Sequence, residues 1–125
     1  MNIHEAVKNL KALKDDSMDG VVEELEKQFG LLPEVLKDVL NMKPDHYETL
    51  KADPLIKLSK TSILNFEYNF SYDIINKGMI PLFDKFDGDY VVYRVKEKDY
   101  CIFSITSEVP FRITEDIFAL IAKYF

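Results

Sequence analysis

Asp84, Asp87 and Asp89, three acids within six residues around Gly88, are the densest set of potential ligands in this chain. Carboxylates flanking a glycine suit a hard cation such as calcium. The spacing does not deliver that site, because a calcium loop opening at Asp84 needs a bidentate Glu at its twelfth position, where Val95 stands. Two other readings remain. Asp87-Gly88 suits a hairpin turn, where both residue types tolerate the required backbone. Alternatively the run is an acidic contact loop. In that case Asp84, Phe86, Asp87 and Asp89, with Tyr90 and Tyr93 on the adjoining strand, form a partner-binding surface of acids and amphipathic aromatics suited to a basic protein.

Other chemistry is thinly supplied. Zinc needs three or four ligands at characteristic spacing, and His4, His46 and Cys101 stand apart from one another. The two histidines read as exposed helix-end residues, and Cys101, inside an apolar run, as a small buried hydrophobe. The glycines, Gly20, Gly30, Gly78 and Gly88, are too far apart to cradle phosphate. No serine sits in a Gly-x-Ser-x-Gly elbow. An acid/base pair drawn from the 22 carboxylates would be invisible at this level, and most of those groups must be solvated surface. The expectation is no catalytic residue, no metal and no cofactor.

The chain has 125 residues, 47% apolar and 30% charged, which suits one globular domain with one core. Its net charge of −6 is shared by both halves, so neither nucleic acid nor an anionic membrane is an expected partner. Met1 to Leu10 contain no signal-peptide apolar run, and one cysteine suits a reducing compartment. The expected location is cytoplasmic.

The elements that must position these residues follow from periodicity. Residues 2–14 read as an amphipathic helix, with 1–19 as an extra N-terminal helix and linker. A second helix runs from Val21 to Phe29 and ends at Gly30; a third starts with Pro33 at its first position and buries Leu32, Leu36, Val39 and Leu40. Pro44 opens a further short helical turn, closed by Asp53-Pro54. Residues 61–77 fit two periods. Leu64, Phe66, Tyr68, Phe70 and Tyr72 alternate as in a strand, whereas Ile63, Phe66, Phe70 and Ile74 fit a helix face. Residues 79–84, 89–95 and 99–105 form an antiparallel meander, with Pro81 at an edge, a bulge or a strand start. Tyr90 and Tyr93 should point to opposite faces, one more buried than the other. Thr114 caps a last helix carrying Ile117, Leu120, Ile121 and Tyr124. The fold class is α+β, with N-terminal helices, a β-meander and a C-terminal helix packed on the sheet.

The runs Glu24-Leu25-Glu26, Phe29-Gly30-Leu31-Leu32-Pro33 and Val35 to Leu40 resemble the opening helices of SUKH superfamily domains. Met79-Ile80-Pro81-Leu82-Phe83, Asp87 to Tyr93 and Ile117 to Phe125 resemble that family's Ile-Pro strand, hairpin strand and closing helix. The resemblance covers residues 20–125. It departs from the family pattern in lacking Trp and in carrying Asn41-Met42-Lys43-Pro44 where Asn-Gly-Gly is usual. It implies a single non-enzymatic protein-binding domain, like fungal cell-wall assembly regulators or bacterial immunity proteins that neutralise polymorphic toxins. The expected partner is a protein, such as a basic nuclease or deaminase toxin domain. The alternatives are a small acidic enzyme using scattered carboxylates and a regulatory adaptor like the fungal members.

Overall fold

The computed structural model describes residues 9–48, 54–118 and 120–121. Two short 3-10 turns, Leu10–Leu13 and Asp16–Met18, lead into helices α1 (Val21–Phe29) and α2 (Glu34–Leu40). Strands β1 (His46–Glu48) and β2 (Pro54–Lys57) follow, then helices α3 (Lys60–Leu64) and α4 (Phe66–Phe70). Strands β3 (Met79–Asp84), β4 (Asp89–Arg94), β5 (Asp99–Ser104) and β6 (Val109–Thr114) complete the sheet. All neighbours pair antiparallel in the order β1-β2-β3-β4-β5-β6, so the fold is α+β. No helix among the described residues is long and apolar enough to cross a membrane.

Helix α1 matches its expected bounds because its stripe of Val21, Val22 and Leu25 is buried and Gly30, at φ 82°, ends it. Helix α2 starts one residue later than expected. Pro33 is its N-cap in extended conformation, and the Pro33 carbonyl accepts the Lys37 N–H at 3.0 Å. The expected stripe of Leu32, Leu36, Val39 and Leu40 is buried. Of the expected helix over 2–14, residues 1–8 lie outside those described, and Leu10–Leu13 is a 3-10 turn.

The helical turn expected after Pro44 is instead the β1–β2 ribbon. Tyr47 is buried opposite Leu55, and its hydroxyl donates to the Lys43 carbonyl at 2.9 Å. Strands of three and four residues are too short to display their alternation in the sequence. Asp53 lies outside the described residues.

Between residues 61 and 77 the helical period wins. Ser59 caps α3, its hydroxyl accepting the Ser62 N–H at 3.2 Å. A strand would place Phe66, Tyr68 and Phe70 on one face. In α4 the Phe66 and Phe70 rings lie 4.6 Å apart, while Tyr68 is 89% exposed. Burying two aromatics at i and i+4 against the sheet outweighs a modest β-propensity.

The three central strands lie where expected, but the meander has six strands rather than three. Strand β6 lies outside the expected strands, although Val109, Phe111 and Ile113 alternate at period two; all three are exposed. Pro81 sits in an interior strand at a bulge, where the β3–β4 register shifts between Pro81 and Phe83. A shift there accommodates the missing N–H. Thr114 ends β6 and does not cap the last helical turn. Its hydroxyl accepts the Asp116 N–H at 3.1 Å, and the Asp116 carboxylate accepts the Phe118 N–H at 2.9 Å. Tyr124 lies outside the described residues.

Register sorts the sheet into two faces, because side chains alternate along each strand. Tyr47, Leu55, Lys57, Phe83, Val91, Tyr93 and Ile102 share the face that meets α2, where the Lys57 ammonium reaches the Leu40 carbonyl. Tyr90, Val92, Cys101 and Phe103 share the other, where Phe66 and Phe70 pack on Tyr90 and Tyr72 packs on Phe103. Tyr90 and Tyr93 therefore do point to opposite faces. Neither is the more exposed, at 4% and 3%, because both faces are covered.

Candidate protein-interaction surfaces

The hairpin tip between β3 and β4 gathers Asp84, Phe86, Asp87 and Asp89 at one end of the sheet. Local hydrogen bonds shape it. Asp84 Oδ1 accepts the Phe86 N–H at 2.7 Å, the Asp89 N–H reaches the Phe86 carbonyl at 3.0 Å, and the Lys85 N–H reaches the Asp89 carbonyl at 2.9 Å. Phe86, Asp87 and Gly88 all have positive φ, at 73°, 56° and 81°. Gly88 is there for two reasons. Its φ favours glycine, and an added Cβ would lie 3.0 Å from Thr106 Oγ1 in the neighbouring β5–β6 turn. The Gly88 carbonyl also accepts the Ile105 N–H at 3.0 Å, fastening the tip to that turn.

Asp tolerates the left-handed region, but a bulky aromatic does not adopt it without cost. Phe86 nevertheless holds φ 73° and leaves its side chain 39% exposed. Strain of this kind persists where surroundings enforce it, and it collects at functional positions. Glycine is normally the destabilising choice relative to alanine; here the order reverses. Phe86→Gly is expected to be about 1 kcal/mol more stable than Phe86→Ala in denaturant melts. Equal stabilities, or alanine the more stable, would mean that position 86 carries no left-handed strain.

Of the six residues expected at the partner surface, the tip brings together Asp84, Phe86, Asp87 and Asp89. Tyr90 and Tyr93 lie in the core on opposite faces and contribute nothing to the surface of the tip. Burial, with the Asp84 charge a smaller cause, pushes the Tyr90 hydroxyl up to about 12. Among the described residues, no three His, Cys, Asp or Glu side chains converge as a metal ion requires. Cys101 is buried opposite Val92, and burial pushes its thiol up to about 11, which suppresses nucleophilic thiolate near neutral pH. His46 is exposed at the start of β1, not at a helix end; His4 lies outside the described residues.

No family model, curated protein or solved structure matches the chain.

Two features escape sequence reasoning. One is Lys57, 1% exposed, whose ammonium donates to the Leu40 carbonyl at 3.1 Å and the Leu58 carbonyl at 2.9 Å. Burial pulls it down to about 7. A lysine in a polar-apolar alternation reads as surface, and no sequence signal marks this one. The other is a trough at the opposite end of β4 from the tip. Its two adjoining hollows, of about 400 and 370 Å³, share Pro33, Tyr93 and Lys98. Leu31 at its lip is 91% exposed. Its walls come from α1, α2, the β4–β5 turn and the segment after β6, so sequence spacing could not reveal it.

Proposed function

We propose that the chain is a non-catalytic, cytoplasmic protein-binding domain of the SUKH type, acting as a bacterial immunity protein that neutralises a basic toxin domain through the β3–β4 tip. The observation that carries this reading is Phe86, held exposed in left-handed backbone among Asp84, Asp87 and Asp89. An aromatic presented on a hydrogen-bonded turn loses less conformational entropy on binding than one on a free loop, and surrounding carboxylates select a cationic partner. The chain's net charge of −6 adds long-range attraction to such a partner. A nuclease or deaminase that grips nucleic acid is cationic at its active surface, and a projecting acidic tip can cover that surface.

The test starts with affinity capture from the native host, followed by stopped-flow association with the captured toxin domain. Association should slow by roughly tenfold as ionic strength rises to physiological values, while dissociation changes less. Replacing Asp84, Asp87 and Asp89 with Asn should reproduce that slowing at low salt. Asn at 84 keeps an oxygen for the Phe86 N–H, so a circular-dichroism melt should show the variant folded. An unchanged association rate and salt dependence in the folded triple variant would place the contact surface elsewhere.

A further inference from the structure

We propose that the trough formed by the α1–α2 loop, the β4–β5 turn and the segment after β6 binds an extended peptide of a partner protein that carries a basic residue close to a large apolar one. This site is independent of the β3–β4 tip, which lies at the other end of β4. The charges along it are ordered. Glu115 and Asp116 line one hollow beside Ile117 and Phe118. Lys98 stands where the hollows meet, and Phe29, Leu31, Leu32 and Val95 line the second. Among the described residues neither Lys98 nor Glu115 forms an ion pair. A basic side chain complements the acidic end, an apolar side chain fills the far hollow, and Lys98 faces the carbonyls between them.

The polar lining points the same way. Tyr93 and Tyr100 pair across β4 and β5, with ring centroids 5.0 Å apart, and both line the trough. Among the described residues their hydroxyls have no protein hydrogen-bond partner, although both side chains are buried. Both residues line the open trough, so their hydroxyls are available to take peptide N–H and C=O groups as partners. Burial holds the Tyr100 hydroxyl up at about 12, so it stays protonated and able to donate.

Two observations favour a peptide over a small metabolite. Small-molecule sites enclose most of their ligand, whereas these hollows are open and run one into the next. Leu31 and Val35 line the hollows yet stay largely exposed, so apolar surface continues from the hollows onto the lip. Exposed apolar residues beside a groove are the usual anchor points for a bound chain.

The test is a titration of the ¹⁵N-labelled chain, followed by NMR, with acetyl-Ser-Lys-Ala-Leu-Ser-amide up to about 10 mM, in the affinity range of short linear segments. A control peptide has Glu in place of Lys. Saturable shifts are expected at the amides of Tyr93, Lys98, Tyr100 and Ile117, with the Glu peptide weaker by roughly tenfold. Glu115→Gln with Asp116→Asn should weaken the Lys peptide by a similar factor, and Tyr100→Phe by several-fold, with melts unchanged. Asn at 116 keeps an acceptor for the Phe118 N–H. No saturable shift, equal affinity for both peptides, unaffected binding in the variants, or shifts confined to residues 84–89 would each overturn the proposal.

Discussion

Raising the pH from 7 to 9 is expected to stabilise the native chain by about 2 kcal/mol, and Lys57→Met is expected to abolish that gain. Lys57 titrates near 10.5 when unfolded and near 7 in the fold, where burial disfavours its charge. Between those values the unfolded state binds more protons, so stability rises with pH and falls as pH returns toward 7. The shifted cysteine and tyrosines act higher on the scale and with opposite sign. Cys101, raised from 9.0 to about 11, and Tyr47, Tyr90 and Tyr100, raised from 10.0 to about 12, hold their protons longer when folded. Their contribution to stability is lost as pH rises beyond about 9, which leaves the interval from 7 to 9 to Lys57.

Methionine has similar length and no charge to bury, so the Lys57→Met variant should melt at the same temperature throughout that interval. The substitution also strips the Leu40 and Leu58 carbonyls of a donor, at a cost of about 1–3 kcal/mol. That loss offsets part of the relief at pH 7 without restoring the slope. Denaturant melts of both proteins at pH 7, 8 and 9 decide the matter. A Lys57→Met chain that kept the native slope would show that Lys57 is solvated and charged in the fold.

The same lysine shows why parts of this fold could be read from the sequence and others could not. Val21–Phe29 was legible because a helical apolar stripe, acids in the first turn and a terminal glycine all agree. The β3–β5 meander was legible because Asp87-Gly88 and Lys96-Glu97-Lys98 punctuate apolar runs. Strands β1 and β2 lacked the length for a pattern. Strand β6 is an edge strand whose Val109, Phe111 and Ile113 face solvent, so its polarity does not follow its burial. At the tip, Asp-Gly announced the turn, but the left-handed backbone of Phe86, one residue earlier, had no signal, because a bulky aromatic seldom adopts that conformation. The period-two rule separated Tyr90 from Tyr93 correctly. It could not reveal that helices cover both faces, which takes both tyrosines away from the surface of the tip.

Phe66→Ala should be the most damaging single truncation near the tip, lowering stability by about 3–5 kcal/mol. Phe66 is fully buried, with its ring edge-on to Tyr90 at 4.9 Å and beside Phe70 at 4.6 Å. Aromatic contacts of this geometry add to simple area burial. Helix α4 has only five residues, too few to be stable alone, so its docking on the sheet maintains it. Removing the ring leaves a cavity beneath Tyr90 and takes away the anchor that ties the helix down. Amide exchange should therefore accelerate in residues 66–70 beyond the global loss of stability. Tyr90 immediately follows Asp89, so the loosened cover also frees the root of the tip, and affinity for a tip-binding partner should fall under conditions where the variant remains folded. Phe66→Leu, which fills much of the same volume, should cost far less and preserve protection in α4. If Phe66→Ala melts within about 1 kcal/mol of the native chain, α4 is not part of the cooperative core. The tip would then owe its shape to its own turn hydrogen bonds and to the bond between the Gly88 carbonyl and the Ile105 N–H.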